Sequence, residues 1–255
     1  MNSVVYGLVS SWRLGKSLGI DMISTERKTC SFDCVYCQLG KTINPLNQRK
    51  EFVPLDILEQ ELMKIKKIDA DYATFSGMGE PTLAINLGEA IKMTRSILKL
   101  PIAVLTNSLL MSNEDVCNEL RLADIVIAKI DAPKEEIFEQ VNRPYGKYKL
   151  SDILKSIKSF RKEHRTKLAL QMMFLDLNKN HASEMARIAM DIDPDEVQIN
   201  TPLRPCKVKP LSLDDIISIS HEFTCLENVK TVYQVDKPMV IPFNMHNTLK
   251  RRPKL

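Results

Sequence analysis

Three cysteines fall within eight residues in the stretch Lys28-Thr-Cys-Ser-Phe-Asp-Cys-Val-Tyr-Cys-Gln-Leu-Gly40. The spacing of Cys30, Cys34 and Cys37 lets three thiolates hold three corners of a [4Fe–4S] cluster, and the stretch contains no fourth cysteine. Because such clusters normally take four cysteine ligands, one iron would stay open for an exchangeable ligand. The pattern predicts a cluster that binds a small molecule, and not one that only passes electrons.

Three other interpretations of the cysteines stay open from the sequence alone. Spacings of four and three also mark one helical face, so these could be core cysteines, although Asp33 and Tyr36 interrupt the apolar pattern. A zinc site would need a fourth ligand, and only Cys34-Val-Tyr-Cys37 resembles half of a paired arrangement. The same four residues would suit thiol redox chemistry only if one thiol had a low pKa. Metal content distinguishes these cases.

The composition is that of a globular protein with a substantial core. The chain has 255 residues, of which 44% are hydrophobic and 27% charged, which fits one large α/β domain better than two small ones. No run approaches the ~18 apolar residues of a membrane span, and the N-terminus lacks a signal pattern. We therefore expect a cytoplasmic protein with no membrane partner.

Charge and the remaining cysteines give weaker indications. The net charge of +4 is less basic than is usual for a nucleic-acid-binding domain. The clustered tail Lys250-Arg-Arg-Pro-Lys254 is interpreted as a solvated terminus. Cys117, Cys206 and Cys225 are scattered along the chain, and we interpret them as ordinary buried thiols.

Short apolar runs alternate with longer amphipathic segments over most of the chain. The predicted strands are Ser17–Ser24, Asp71–Ser76, Ile102–Thr106, Ile125–Lys129, Leu168–Phe174 and Glu196–Asn200. The predicted helices between them are Leu55–Lys67, Leu87–Leu98, Asn113–Leu122, Lys134–Val141, Ser151–His164 and Ala182–Met190. This alternation predicts right-handed βαβ units and a parallel sheet. Six units fall short of the eight of a closed barrel, so the predicted fold is α/β, a partial (β/α)6 open barrel with a short C-terminal extension.

The domain organisation follows from the same pattern. Residues 1–205 are predicted to form the barrel core, including the cysteine loop, and residues 206–255 an extension that packs on it. The extension contains a helix pattern over Ser212–Phe223 and a strand-like run over Val229–Val235. Ligands of such folds bind at the carboxyl ends of the strands, so polar residues that follow each apolar run are candidates for the site.

The second predicted strand ends in Phe75-Ser-Gly-Met-Gly-Glu-Pro-Thr82. Two glycines let a backbone approach a ligand closely, and Glu80 then presents an acceptor carboxylate there. Alone, this stretch is also compatible with a tight turn that ends in a capping acid. Its position about forty residues after the cysteines makes the combination of the two motifs more specific than either motif alone.

The two motifs together resemble those of the radical S-adenosylmethionine (radical SAM) superfamily. In that family an aromatic residue, here Tyr36, precedes the last cysteine, and the open iron is chelated by the methionine part of S-adenosylmethionine. The segment Ser76-Gly-Met-Gly-Glu80 resembles the Gly-Gly-Glu stretch that receives the methionine amino group, with Met78 as a departure between the glycines. The resemblance implies two cofactors, a [4Fe–4S] cluster and S-adenosylmethionine. It also implies reductive cleavage to a 5′-deoxyadenosyl radical that abstracts hydrogen from a substrate.

The resemblance also implies cofactor contacts at other strand ends. The candidate cofactor-binding residues are Tyr36, Ser76, Gly77, Gly79, Glu80, Asn107, Asp131, Gln171 and Asn200. Asp131 offers an acid for ribose hydroxyls or for substrate. Gln171 and Asn200 are polar groups inside apolar runs and need a partner, either a bound nucleoside or an ordinary core hydrogen bond. No catalytic residue is assigned beyond these ligands.

Longer stretches resemble stand-alone radical SAM enzymes related to the wyosine tRNA-base synthase. These stretches are Trp12–Asp21, the cysteine loop, Phe75–Thr82, Val141–Pro144 and Gln198–Pro205. A tRNA base is therefore one candidate substrate, whereas modification of a peptide or activation of a protein partner stays open. The alternative from another class is a non-catalytic zinc or iron–sulfur scaffold.

An anionic substrate and an electron donor are the remaining expectations. Guanidinium and ammonium groups recognise phosphate or carboxylate, and the candidates near the predicted mouth are Arg13, Lys16, Arg143 and Arg204. Ordinary surface charge is the alternative for each of them. The implied electron donor is a flavodoxin or a ferredoxin.

Overall fold

A computed structural model describes residues 3–253 of the chain. The strands are β1 (Val5–Ser11), β2 (Gly15–Ile20), β3 (Thr29–Cys30), β4 (Asn44–Pro45), β5 (Tyr72–Phe75), β6 (Ile102–Thr106), β7 (Ile125–Lys129), β8 (Lys167–Met173), β9 (Glu196–Asn200) and β10 (Val229–Thr231). The α-helices are α1 (Leu55–Lys64), α2 (Leu87–Leu98), α3 (Glu114–Leu120), α4 (Glu135–Val141), α5 (Leu150–Glu163), α6 (Ala182–Ile192), α7 (Leu213–His221) and α8 (Met245–Arg251).

The main sheet follows the order of the chain, β1-β2-β5-β6-β7-β8-β9-β10. Neighbours from β2 onwards pair in parallel, and β1 pairs antiparallel with β2. Helices connect the parallel strands, as right-handed βαβ units require. The predicted α/β partial barrel is confirmed, and its six predicted strands correspond to β2 and β5 to β9.

Apolar residues fill both faces of the curled sheet. On its concave face, Leu14 packs with Ala103, Ile125, Ile127 and Ala169 in a small cluster, while the larger core lies beneath the helices. Strands with two buried faces read as continuous apolar runs, which is why the sequence predicts them well. The concave cluster occupies the amino-terminal end of the strands and leaves the carboxyl end open.

Strand β1 was not predicted, and the first predicted strand was too long. Gly7 has a φ of +116°, and the register shifts between Tyr6 and Val9; such an irregularity breaks the alternation that marks a strand. Strand β2 ends at Ile20 because the Asp21 Oδ1 accepts the backbone N–H groups of the next turn, from Ile23 and Ser24, at 3.1 and 2.9 Å.

The C-terminal segment differs from the expectation of a solvated tail. Strand β10 extends the sheet beside β9, and α8 packs against β1. Arg251, at the end of α8, is 0% exposed, so the tail interpretation is wrong for this residue; Lys254 lies outside the described residues. The boundary at residue 205 stays a prediction.

Two further expectations concern burial and membranes. Cys225 is exposed, and Cys117 and Cys206 are half-buried, so the three are not uniformly buried thiols. Between residues 3 and 253 no helix has the length and apolar character needed to cross a membrane.

Candidate active site

A cavity of about 600 Å³ lies on the concave face of the barrel, at the carboxyl ends of the parallel strands. Ligands of parallel α/β folds bind at this end. The predicted site residues in its wall are Cys30, Cys34, Tyr36, Cys37, Ser76, Gly77, Gly79, Glu80, Asn107, Gln171, Asn200, Arg13 and Arg204. Residues that are far apart in the sequence thus meet around one space.

The cysteine loop is held in place by the segment after α4. The Asp33 N–H donates to the carbonyls of Asn142 and Arg143 at 3.1 and 3.0 Å, and the Val35 N–H donates to the carbonyl of Val141 at 3.0 Å. Within the loop, the Thr42 N–H donates to Asp33 Oδ1 at 2.6 Å. These backbone contacts fix the loop through the protein itself, which pre-organises the thiols.

The three thiols share a buried cation. Cys30 is 8% exposed, and burial raises its pKa to about 12, with Lys28 acting in the opposite direction; burial also raises the pKa of Cys34. Burial alone would lower the pKa of Lys28, but the three cysteines more than offset this and its pKa is raised. Raised thiol pKa values disfavour redox chemistry by a free thiol, whereas a bound metal deprotonates its thiol ligands.

The donor set fits an iron–sulfur cluster. Three soft sulfur ligands line one cavity wall, and amide groups reach two of them: Asn107 Nδ2 lies 3.8 Å from Cys30 Sγ, and Asn142 Nδ2 lies 3.7 Å from Cys34 Sγ. Hydrogen bonds to sulfur tune the potential of such clusters. Within residues 3–253 no three His, Cys, Asp or Glu side chains gather around a single-ion site.

Glu80 is a buried acceptor on the same wall. Its Oε1 accepts from Thr82 N, Thr82 Oγ1 and Thr106 Oγ1 at 3.1, 2.7 and 2.7 Å, and its Oε2 accepts from Asn107 N at 2.6 Å. Burial raises the pKa of Glu80, and these donors act against that rise. The Oε2 atom has one donor and keeps acceptor capacity toward the cavity, which suits a cationic ligand group.

The two glycines before Glu80 make close approaches within the protein itself. A Cβ at Gly77 would overlap the carboxylate of Asp21, and a Cβ at Gly79 would overlap the carbonyl oxygen of Thr29. Thr29 N donates to the Met78 carbonyl at 2.9 Å. The glycines therefore bring the cysteine loop against the end of β5, which the sequence motif alone did not reveal.

Gly79→Ala is expected to destabilise the protein by about 3 kcal/mol, the upper end for overpacking, because the overlapped atom is backbone. It should also lower the iron bound per chain, since Thr29 adjoins Cys30. Urea unfolding and iron analysis measure both effects. Gly40→Ala is the matched control: Gly40 has a φ of +74° and open space where its Cβ would stand, so only backbone strain of about 1 kcal/mol is expected. Equal losses in the two variants would contradict this explanation.

Asp131 does not line the cavity. Its Oδ2 accepts from the Tyr36 hydroxyl and from Asn142 Nδ2, and its Oδ1 accepts from Met173 N at 2.9 Å. The expectation that it binds ribose or substrate stays a prediction, and in this structure both oxygens already have protein donors. Its buried carboxylate accepts hydrogen bonds from Tyr36 and Asn142 and so orients these two side chains beside the cysteines.

Lys16 and Arg143 also lie outside the cavity. Lys16 stands at the amino-terminal end of β2 and pairs with Asp69 at 2.6 Å, at the opposite end of the strands from the site. Arg143 is exposed, with a φ of +49° that turns the chain after α4. Neither residue belongs to a cluster of cations at the mouth.

Gln171 and Asn200 face the cavity with different partners. Asn200 Oδ1 accepts from Thr201 N at 2.9 Å, and within the described residues the Gln171 amide makes no side-chain hydrogen bond. Both are buried polar groups, so a ligand in the cavity would satisfy the open hydrogen-bonding capacity of Gln171.

Sequence reasoning missed several cavity or support residues. They are Asp21, Lys28, Lys129, Asn142 and Arg252. Lys129 Nζ lies 4.3 Å from the centroid of the Tyr36 ring. Lys28, Asn142 and Asp21 lie inside the stretches that carry the resemblance, which marks their positions in the sequence. Arg252 lies in the basic cluster at residues 250–254, for which the sequence predicts a solvated terminus.

Residues 28–189 match a family model described as the Radical SAM superfamily. A UPF0026 protein of Methanocaldococcus jannaschii is 38% identical over 227 residues, which cover 85% of this chain and 70% of that relative. A UPF0026 protein of a Synechocystis strain is 40% identical over 211 residues, covering 81% of this chain and 77% of the relative.

Solved structures share the fold at low sequence identity. SuiB of Streptococcus suis bound to its precursor peptide SuiA matches with a TM-score of 0.66 and 14% identity, covering 84% of this chain and 48% of SuiB; SuiB has also been solved bound to S-adenosylmethionine. An archaeal TYW1 matches with a TM-score of 0.58 and 15% identity, covering 80% of this chain and 70% of TYW1. The chain spans about half the length of SuiB.

Proposed function

The chain belongs to the radical SAM superfamily, and from this premise we propose that Cys30, Cys34 and Cys37 hold a [4Fe–4S] cluster beside a site for S-adenosylmethionine. When bound, these two cofactors would supply a 5′-deoxyadenosyl radical by reductive cleavage, and that radical would abstract hydrogen from a substrate. The observation that carries the proposal is the convergence of the three thiols and the Glu80 carboxylate on one cavity.

The protein's own residues would bind and orient the cofactors. Glu80 Oε2 offers a buried acceptor for the amino group of S-adenosylmethionine, and Gln171 and Asn200 offer amide groups to its nucleoside. Lys28 would offset the negative charge of the thiolates, and the network from Asp131 through Asn142 would fix the loop around Cys34. Glycines 77 and 79 with Ser76 would let this end of β5 lie against the cofactor.

A tRNA base is the substrate we propose, with a peptide or protein as the alternative. The fold likeness to an archaeal TYW1 and the sequence resemblance to wyosine synthase relatives support the first. The fold likeness to SuiB bound to a precursor peptide supports the second. A flavodoxin or ferredoxin would provide the electron.

Anaerobic reconstitution tests the cofactor chemistry. The purified chain is treated with iron and sulfide, analysed for metals, and incubated with S-adenosylmethionine and dithionite before 5′-deoxyadenosine is quantified by mass spectrometry. We expect about four irons per chain and 5′-deoxyadenosine that depends on dithionite. Stoichiometric zinc without iron–sulfur absorption would contradict the proposal and favour the scaffold alternative.

A further inference from the structure

The charge around the cavity is strongly one-sided. Among residues 3–253, the charged side chains in its wall are six cations and one acid: Arg13, Lys28, Lys129, Arg204, Lys237, Arg252 and Glu80. Lys28 interacts electrostatically with the three cysteines, and Lys129 does so with Cys34. These two lysines therefore belong to the proposed cofactor site. Lys237 is exposed. The three arginines form a further set, which adjoins the cofactor site at Ser76, to which Arg252 donates.

The three arginines come from separate parts of the chain and line the same cavity, Arg13 from the amino-terminal end of β2 and the other two from the carboxyl side of the strands. Arg13 lies in the turn between β1 and β2, Arg204 follows β9, and Arg252 follows α8. The strands β1 and β9 lie near opposite ends of the sheet, yet Arg13 lies near enough to both Arg204 and Arg252 for their charges to act on it. The set therefore spans the lateral gap between the two sides of the curled sheet.

Within residues 3–253 none of the three arginines forms a salt bridge. Arg13 Nε is buried without a hydrogen-bond partner. Arg204 has a 3.4 Å contact with the Pro253 carbonyl, and Arg252 donates to Ser76 Oγ at 2.7 Å. The neighbouring Arg251, by contrast, is paired with Asp21.

The electrostatics of the set are unfavourable without an anion. Burial, together with the charges of Arg252 and Arg204, lowers the pKa of Arg13 to about 10, and the charge of Glu196 acts in the opposite direction. Burial and the charge of Arg252 lower the pKa of Arg204 to about 10 as well. All three arginines are half-buried, and like charges that are partly shielded from water repel one another, so a bound anion would relieve this repulsion.

We propose that Arg13, Arg204 and Arg252 form an anion subsite that holds a phosphate group of the substrate in the lateral opening of the barrel. The inference rests on the proposed function, because the subsite opens into the cavity that would hold S-adenosylmethionine. A guanidinium group donates paired hydrogen bonds that match the oxygens and the charge of a phosphate. Three guanidinium groups supply more donors than the two oxygens of one carboxylate require. The occupant is thus a phosphorylated substrate, and we take it to be a nucleotide, either free or within RNA, because an indole adjoins the arginines.

The indole of Trp12 supports a nucleotide over a simple phosphorylated compound. Trp12 lies in the same wall, with the Arg13 guanidinium carbon 5.1 Å from its ring centroid. Aromatic rings beside arginines are typical of sites where bases stack and phosphates bind. Trp12 is also the single tryptophan of the chain, so tryptophan fluorescence reports on this cavity and on no other part of the protein.

Calorimetric titration of the reconstituted protein with S-adenosylmethionine present, and without reductant, tests the subsite. The probes are uridine 5′-monophosphate, uridine, a short single-stranded RNA and N-acetylglutamate, and Trp12 fluorescence is followed in parallel. We expect saturable binding of the monophosphate or the RNA that changes Trp12 emission, with uridine at least tenfold weaker. Tighter binding of RNA than of the mononucleotide identifies RNA as the source of the phosphate.

Arg204→Met is the decisive variant, with Arg121→Met as its control. Arg121 is an exposed arginine outside the cavity. Arg204→Met should weaken binding of the phosphate probe at least tenfold while leaving the melting temperature unchanged or raised, because repulsion with Arg252 is removed; Arg121→Met should change neither. Unchanged binding in Arg204→Met, or N-acetylglutamate binding as tightly as the monophosphate, would overturn the proposal. The binding assay measures no turnover, so it can succeed even if the chain does not cleave S-adenosylmethionine. Intact nucleotide binding without formation of 5′-deoxyadenosine would therefore refute the proposed function and leave the anion subsite standing.

Discussion

Cys34→Ala is expected to abolish formation of 5′-deoxyadenosine and to leave the chain without a stable [4Fe–4S] cluster. The proposed cluster has three protein ligands, and the cavity wall contains no other cysteine that could replace one of them. Loss of one thiolate would open a second iron to solvent. Iron and sulfide analysis, the absorption of the reconstituted protein and product quantification measure the effect.

Cys117→Ala is the matched control for the Cys34 variant. Cys117 is a free, half-buried cysteine whose Sγ donates to the Met111 carbonyl at 3.1 Å, and it lies outside the cavity wall. Its replacement should leave iron content and product formation at the wild-type level. A Cys34→Ala protein that still bound four irons and cleaved S-adenosylmethionine would refute the ligand assignment.

The two variants also separate cluster loss from unfolding. Backbone contacts to residues 141–143 hold the cysteine loop without help from any thiol, so Cys34→Ala should keep the circular dichroism spectrum of the unreconstituted wild type. Metal binding stabilises the folded state to which it binds. Reconstitution should therefore raise the melting temperature of the wild type and of Cys117→Ala, but not that of Cys34→Ala.

The parts of the fold and site that the sequence predicted are those encoded locally. Strands such as Ile125–Lys129 are buried on both faces and therefore appear as continuous apolar runs. The cysteine spacing and the Gly77 to Glu80 segment are likewise short, contiguous patterns. For these features a few consecutive residues contain the whole physical signal.

The features that were missed depend on contacts between distant residues. Asp131 follows a strand as a ligand-binding acid would, yet its oxygens are taken by Tyr36, Asn142 and Met173, and no local pattern distinguishes these cases. Arg251 looks like part of a charged tail, but its partner Asp21 lies 230 residues earlier. Such pairings become visible only once the barrel brings its two ends together.

Arg251→Ala is expected to destabilise the protein by about 3–5 kcal/mol, since it leaves a buried carboxylate without its cation. Arg251 is 0% and Asp21 1% exposed, and their Nε and Oδ2 atoms are 2.7 Å apart. Arg251 also donates to the Ser3 carbonyl and to Ser24 Oγ, at 2.8 and 3.0 Å. For a chain of this size the melting temperature should fall by roughly 6–20 °C.

Arg95→Ala is the control for this variant, because Arg95 forms an ion pair of similar length, 2.9 Å, with Asp124 at the surface. Exposed pairs contribute about 0–1 kcal/mol, so its melting temperature should change little. In a cycle of Asp21→Asn, Arg251→Met and the double variant, the loss in the double variant should be smaller than the sum of the two single losses, because neither partner is then left as an uncompensated charge. Additive losses would show that the pair is not the source of the effect.

The Arg251 variant should also weaken binding of S-adenosylmethionine at temperatures where the chain remains folded. Asp21 Oδ2 accepts the Met78 N–H at 3.1 Å in addition to Arg251 Nε, so the ion pair supports the segment between Gly77 and Gly79 on the cavity wall. Without Arg251, that buried carboxylate keeps only backbone N–H donors and carries an uncompensated charge, so the support of the segment is weakened. Calorimetric titration with S-adenosylmethionine should show weaker binding in Arg251→Ala and unchanged binding in Arg95→Ala. Unchanged affinity in Arg251→Ala would restrict the ion pair to a role in stability.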